Sequence, residues 1–266
     1  MKLISIIMGI YNCENTLREA VYSIFAQTYS NWELIMCDDG STDNTYEVAK
    51  ELSEEDDRII LIKNKKNRGL NYTLNRCLQF AKGDYIARMD GDDLSIAERF
   101  EKEISFLEEH SEYGLVSSPM IFFDENGEWG RSYAIEEPTK ADVLTGGPIC
   151  HAPVMIRKEC MDAVGGYTVD RRMLRVEDVN LWIKIYAKGY RCYNIQEPLY
   201  KMRNDKNAYK RRKYKYRINS VYVRLQGCRL LKAEPICYVK AFKPMLAGLI
   251  PGNIRKIIKK KMSEYN

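Results

Sequence analysis

Apolar residues follow two alternating periods along this chain, and that alternation already suggests an architecture. Leu3 to Ile10 is a continuous apolar, β-branched run, the pattern of a central parallel strand buried on both faces, and it ends at Tyr11-Asn12. Leu17, Ala20, Val21, Ile24 and Phe25 then recur at helical spacing, which predicts a helix with one core-facing stripe. A second strand is predicted from Trp32 to Cys37. It stops at Asp38-Asp39-Gly40-Ser41-Thr42-Asp43, where Thr42 or Asp43 suits the cap of a helix running through Glu51. Arg58 to Ile62 predicts a third strand, and Leu74, Cys77, Leu78 and Ala81 mark a third helix. Tyr85 to Met89 is a fourth strand, running into Asp90-Gly91-Asp92-Asp93. Strand and helix in strict alternation argue an α/β fold with an open, doubly wound sheet.

The second half is less regular. A helix is predicted over Ile96 to His110, with Ala97, Phe100, Ile104 and Leu107 inward, and a strand over Leu115 to Phe123. Asp124-Glu125-Asn126-Gly127 reads as a hairpin-type turn towards Trp129. A short helix at Ala141 to Thr145, a loop from Gly146 to Pro153, a strand at Val154 to Arg157 and a tight turn at Gly165-Gly166-Tyr167 follow. A helix then begins at Glu177-Asp178 and carries Leu181, Trp182 and Ile185 inward. We expect one catalytic body over residues 1–203, divided near residue 95, and a helical tail over 204–266.

Charge sharpens that division. The net +5 conceals nineteen Lys and Arg in residues 201–266 against Asp205, Glu234 and Glu264, a net +16, while residues 1–200 carry −11. A long basic helix is predicted from Tyr209, with Ile218, Val221, Leu225 and Leu230-Leu231 as apolar contacts. Pro244 to Ile250 is apolar, and Ile254, Ile257, Ile258 and Met262 share a helical face opposite Lys256, Lys259 and Lys260. Such a tail suits an anionic membrane surface. Nucleic acid is not expected, since no recognised binding motif accompanies the basic run. No stretch of about eighteen apolar residues occurs, so no membrane-spanning helix is predicted, and the N-terminal apolar run is too short for a signal peptide. Eight cysteines without a C-x-x-C pair suit a reducing compartment and imply neither zinc nor disulfides.

Candidate chemistry gathers at strand ends. In an open α/β sheet ligands bind beyond the carboxyl ends of the strands, and Tyr11-Asn12, Asp38-Asp39 and Asp90-Gly91-Asp92 all stand there. On an extended backbone Asp90 and Asp92 point to one side, with Gly91 leaving room for a ligand. Converging carboxylates of this kind hold a divalent cation shared with substrate phosphates. No G-x-G-x-x-G or G-K-[ST] loop occurs. A helix–loop–helix calcium site starting at Asp90 fails at Leu94 and Ser95, where it needs a ligand and a glycine.

Five segments, in order, carry a resemblance: Ser5-Ile6-Ile7-Met8-Gly9-Ile10-Tyr11-Asn12, Cys37-Asp38-Asp39-Gly40-Ser41-Thr42-Asp43, Asn67-Arg68-Gly69 with Asn75, Met89-Asp90-Gly91-Asp92-Asp93, and Glu177-Asp178 with Leu181-Trp182. Together they resemble the family 2 glycosyltransferases of GT-A fold, a Rossmann-like α/β/α domain with a mixed, mainly parallel sheet, over roughly residues 3–203. The resemblance implies an inverting enzyme that moves one sugar from a nucleotide-sugar, a UDP-sugar by preference, to a hydroxyl of a glycan or lipid-linked acceptor in bacterial surface polysaccharide synthesis. It implies Tyr11, Asn12 and one of Asp38 or Asp39 at the base, Arg68 beside base or ribose, Asp90 at ribose or sugar, and Asp92 on Mn²⁺ or Mg²⁺. Asp178 would be the general base, with Glu177 second, and His151 and Arg203 would touch acceptor or diphosphate. Relatives usually carry Pro where this chain has Gly9, which should alter only the first loop. They often carry a histidine after the Tyr200 segment, where Met202-Arg203-Asn204 has none. A Q-x-x-R-W motif is missing, so one transfer per encounter is expected. The expected location is the cytoplasmic face of the membrane. The alternative from another class is a non-catalytic binder of sugar nucleotides or polyanions that keeps the fold.

Overall fold

The computed structural model describes residues 1–203 and 214–249. The chain opens with parallel strands β1 (Ile4–Ile10), β2 (Trp32–Asp38), β3 (Ile59–Lys63) and β4 (Tyr85–Asp90), joined by helices α1 (Leu17–Phe25), α2 (Thr45–Glu55) and α3 (Leu70–Leu78). β1 lies between β2 and β4 and pairs in parallel with both, Gly9 standing opposite Cys37 and Asp90. Strand side chains alternate, so β1 sends Ile4, Ile6, Met8 and Ile10 into one core with Leu17, Val21 and Phe100, and Ile7 into the other with Leu74 and Trp182. Two cores on the two faces of one sheet make the three-layer α/β/α arrangement.

Beyond β4 the sheet becomes mixed. β9 (Met155–Arg157) inserts antiparallel between β4 and β6 (Tyr113–Ser117), and β10 (Arg191–Asn194) closes the edge parallel to β6. The order is β10-β6-β9-β4-β1-β2-β3. A second sheet holds β5 (Leu94–Ser95), β11 (Tyr200–Arg203), β7 (Met120–Asp124) and β8 (Gly127–Arg131). The single strand expected over 115–123 is thus two. Pro119 lies at the break, where a residue without an N–H cannot continue a ladder, and the chain changes sheet. The hairpin turn falls where its residues predicted, with Gly127 at φ +106°. Sequence periodicity missed the short β5, β10 and β11 and helix α6 (Lys158–Val164).

The described C-terminal helices take part in the packing of the body. Helices α8 (Lys215–Leu230) and α9 (Pro235–Lys240) pack on α5 (Lys140–Thr145) and α7 (Glu177–Ala187), and α10 (Lys243–Leu249) packs on α8. Val223, Cys228, Leu231 and Cys237 share the core of Leu181 and Trp182. At Gly227 an added methyl would stand 2.5 Å from Ile183 Cδ1 and 2.6 Å from Leu144 Cδ2, so the missing side chain is what lets α8 close on α5 and α7. Buried Arg224 donates to the carbonyls of Leu144 and, at 2.6 Å, Gly146, satisfying the open end of α5. Ile218 and Leu230, expected as contacts, are exposed instead. Val221 and Leu231, also expected as contacts, are buried, and the buried residues of α8 are Ser220, Val221, Val223, Arg224, Gly227 and Cys228. The expected helix start at Tyr209 and the face of Ile254, Ile257, Ile258 and Met262 lie outside the described residues.

Arg224→Met should keep the volume of this contact while leaving the α5 carbonyls unpartnered. We expect a stability loss of about 2–4 kcal/mol, read as a lower urea midpoint at unchanged slope.

Candidate functional site

After β3 at one edge, the chain returns to the other side of β1 as β4, and the loops leaving β1 and β4 diverge. A crevice at such a reversal is where an open α/β sheet binds its ligand. Here it is a cleft of about 320 Å³ lined by Tyr11, Asn12, Thr16, Asp90, Asp92 and Arg203 among others.

Its floor is held by side chains bonded to backbone. Asn12 has φ +49°, a region Asn tolerates, and its Oδ1 accepts from Thr42 N at 2.9 Å while its own N–H donates to Ser41 Oγ at 3.1 Å. Cys13 N donates to Thr45 Oγ1 at 2.7 Å and Glu14 N to Asp43 Oδ2 at 3.3 Å. Asn44, rather than Thr42 or Asp43, occupies the cap position of α2, and Asp43 accepts from Thr45 N. Asp39, buried, accepts from Asn64 Nδ2, Arg68 N and Gly69 N, each at 2.8 Å, and so fixes the start of α3. Asp38 is fully buried, accepts from Ser41 N at 3.2 Å and has Lys63 Nζ at 3.8 Å. A carboxylate offers about four acceptor sites, so each retains capacity for a further donor. Tyr11 is exposed at the mouth, and the exposed Arg68 side chain lies over the Tyr72 ring at 4.5 Å. Gly9 lies within β1 rather than in the loop, against Thr73 and Leu70.

The acid segment differs from an extended pair. β4 ends at Asp90, and Asp93 N reaches back to Asp90 O at 3.5 Å, so Asp90 and Asp92 meet across a turn. Gly91 borders the cleft, and its missing side chain also matters on the core side. A methyl there would sit 3.0 Å from Cys13 Sγ and 3.1 Å from Ile10 Cγ2, and Thr16 Oγ1 bonds its carbonyl at 3.0 Å, so the glycine serves the packing beneath the turn. Arg203 closes the turn from β11: its N–H donates to Asp93 Oδ1 at 2.8 Å, its Nε to Asp92 O at 3.0 Å, and its guanidinium pairs with Glu19 at 2.5 Å. Asp93 is buried, Asp92 exposed. Loss of hydration, then the neighbouring Asp90 charge, pushes both carboxyls above the ordinary aspartate range.

Arg88 is the group sequence reasoning overlooked. Only 6% exposed, it pairs with Asp90 at 2.5 Å, and its Nε has no hydrogen-bond partner among the described residues. Burial works against its charge, but Asp90, Tyr167, Tyr200 and Asp93 outweigh it. Its backbone is fixed by Arg88 N to Val154 O at 3.0 Å and by buried Arg99 Nη2 to Arg88 O at 3.1 Å. One signal was available: a charged residue inside the otherwise apolar run Tyr85-Ile86-Ala87-Arg88-Met89. Tyr200, whose hydroxyl accepts from Asp90 N at 3.2 Å, carries no comparable signal.

On the other side of Arg88, Glu177 and Asp178 open α7, partly buried in its first turn. Burial raises the pKa of both. The Arg88 and Arg224 charges act against that rise at Asp178. His151 is not among the residues lining the cleft. Its Nε2 lies 2.9 Å from Tyr167 Oη and its ring meets Trp182 edge-on at 5.7 Å. Burial first, then Arg88, holds it well below the ordinary histidine range, so it is neutral. Among the described residues no three His, Cys, Asp or Glu side chains cluster as metal ligands. Asp92, free of any salt bridge within those residues and open to the cleft, fits an ion held by one or two carboxylates plus phosphate oxygens and water.

The profile of glycosyl transferase family 2 matches residues 5–172. The chain is 44% identical over 97% of its length to "Putative glycosyltransferase EpsE" of Bacillus subtilis (strain 168), covering 93% of that protein. It is 31% identical to the UDP-Glc:alpha-D-GlcNAc-diphosphoundecaprenol beta-1,3-glucosyltransferase WfaP of Escherichia coli, over 73% of this chain and 74% of that one. The fold matches the mannosyltransferase PcManGT of Pyrobaculum calidifontis, solved with GDP-Man and Mn²⁺, with a TM-score of 0.63 at 18% identity, over 98% of this chain and 79% of that one.

Asp39→Ala should strand two backbone N–H groups. We expect about 2–4 kcal/mol of lost stability and faster hydrogen exchange at the Arg68 and Gly69 amides than elsewhere in α3. Unchanged exchange at those amides would refute the role given to Asp39.

Proposed function

Since the chain belongs to glycosyl transferase family 2 and is a glycosyltransferase, we propose that it moves a single sugar, with inversion, from a UDP-sugar to a hydroxyl of a lipid-linked glycan during bacterial surface polysaccharide synthesis. One observation carries the reading: the cleft at the sheet reversal has acids Asp90 and Asp92 on its wall, and Arg88 links their charge to that of Glu177 and Asp178. The UDP preference and the lipid-linked acceptor are supported by WfaP, whose name states both.

In this reading Tyr11 stacks on the base, and one of Asp38 or Asp39 uses a remaining lone pair for its N–H. Arg68 and Asn12 border base and ribose. Asp90 approaches the ribose or sugar, with its orientation set by Arg88. Asp92 holds Mn²⁺ or Mg²⁺ together with the donor diphosphate. When bound, that ion stabilises negative charge on the departing nucleoside diphosphate. Asp178 accepts the proton of the acceptor hydroxyl as its oxygen bonds to the anomeric carbon and the anomeric bond to the diphosphate breaks, the electron pair leaving with the diphosphate. Burial raises the Asp178 pKa, which suits that base, and the Arg88 and Arg224 charges oppose the rise. Neutral His151 shapes the acceptor side through Tyr167 and Trp182, while Arg203 steadies the Asp92 turn next to the diphosphate. Residues 204–266 bring the enzyme to an anionic membrane surface on the cytoplasmic side. No helix among the described residues is long and apolar enough to cross a membrane.

Asp178→Asn should lower kcat about 100- to 10,000-fold while calorimetric donor binding is unchanged; a smaller loss than that of Glu177→Gln would move the base to Glu177. Asp92→Ala should remove the Mn²⁺-dependent part of UDP-sugar binding. The pH profile of kcat/KM should lose activity on the acid side at a pKa above the ordinary aspartate value. In Arg88→Met that limb should move higher still, because the cation favouring ionised Asp178 is gone. An unmoved limb would disprove the coupling.

A further inference from the structure

α9 and α10 form a nearly continuous ridge, joined by Phe242 N to Val239 O at 3.2 Å and Leu246 N to Phe242 O at 3.1 Å. One side of it is spent on the body: Cys237 and Ala241 are buried, and Arg217 Nη1 donates to Pro244 O at 2.8 Å, tying α10 to the first turn of α8. The other side presents Ile236, Val239, Phe242 and Leu246, exposed by 51, 69, 39 and 58%. A patch of large apolar side chains at helical spacing, turned away from the core, is an interaction surface rather than ordinary exposure. Exposed Lys232, Lys240 and Lys243 border it, and Glu234 is the only acid in residues 214–249.

We propose that this ridge docks on an anionic phospholipid bilayer, Ile236, Val239, Phe242 and Leu246 entering the interface while the lysines meet headgroup phosphates. This gives a definite surface to the lipid-linked acceptor reading, on which it rests. Charge selects the occupant. In a two-fold contact with a second copy, the lysine rims would face one another and repel, whereas an anionic surface complements them. The ridge also leads to the acceptor side. Asn219 Nδ2 donates to Arg171 O at 3.4 Å and Leu174 O at 3.2 Å, and Ile218, projecting from α8 between Arg217 and Asn219, is 53% exposed. Exposed apolar side chains therefore run from α10 through Ile218 to Leu174, three residues before Glu177.

The test is co-sedimentation of the full chain, without donor, with vesicles of phosphatidylglycerol and phosphatidylcholine, and with phosphatidylcholine alone. Binding should need phosphatidylglycerol and weaken with salt. Val239→Glu/Leu246→Glu should lower partitioning about ten-fold or more, with unchanged melting temperature and unchanged hydrolysis of soluble donor. Lys240→Gln/Lys243→Gln, which keeps the apolar face, should also lower it, by about several-fold. Binding retained by both variants overturns the proposal. So does loss of binding only in Ile257→Glu/Ile258→Glu, or a dimer that Val239→Glu/Leu246→Glu dissociates without altering vesicle binding. Because partitioning is read without turnover, a chain that binds vesicles but transfers no sugar would refute the catalytic reading and leave the docking surface standing.

Discussion

A cation buried among acids is the constraint on which this site depends. Arg88 lies inside a central strand, where a charge is tolerated only if paired, and a buried guanidinium that loses its partner is costly. Asp90 supplies the pair. Asp92, Asp93, Glu177 and Asp178 add negative potential on the two sides, and without Arg88 they would crowd into one region with Arg175, Arg203 and Arg224 at its borders. The strand that carries Arg88 is held by β1 on one side and β9 on the other, with Arg99 bonded to its carbonyl. Neither group of acids can relax away from it. Its Nε, unpartnered among the described residues, is a buried donor left open at the centre of the site.

The strand-end motifs do architectural work that their composition does not separate from ligand binding. Asn12, Ser41, Thr42, Asp43 and Thr45 bond the first loop to the second, and Asp39 bonds the second to the turn before α3. Thr16 and Arg203 do the same for the acid turn. The cleft is therefore shaped by side chain to backbone bonds before any substrate enters, which lowers the ordering cost of binding.

The first half of the fold was legible because its strands are long and buried on both faces and each helix has a clear stripe; periodicity places β1 to β4 within a residue or two. The second half was less so, because β5, β10 and β11 are too short to display a period and β9 runs against its neighbours. Tyr11, Asp90 and Asp92 are legible from their places at strand ends and line the cleft, whereas Glu177 and Asp178 are singled out only by the family resemblance. Arg88 required noticing a charge in an apolar strand, and Tyr200 becomes relevant only through a pairing over 110 residues away. Gly91 has a second role that its place between two acids does not show, since an added methyl would press on Cys13 and Ile10. The packing of the C-terminal helices is legible in part: Val221 and Leu231 are buried as expected, while Ser220, Arg224 and Gly227 are residues that a search for apolar stripes passes over.

That contact reaches beyond packing. The family match ends at residue 172, yet the helix bearing the candidate base starts at Glu177 and shares one core with residues as far along as Cys237. Gly227 brings α8 close enough for Arg224 to cap α5, and the same guanidinium lies within the electrostatic reach of Asp178. Body and C-terminal helices should thus melt as one cooperative unit. A cut at the edge of the recognisable domain would remove the Arg224 charge that opposes the rise in the Asp178 pKa.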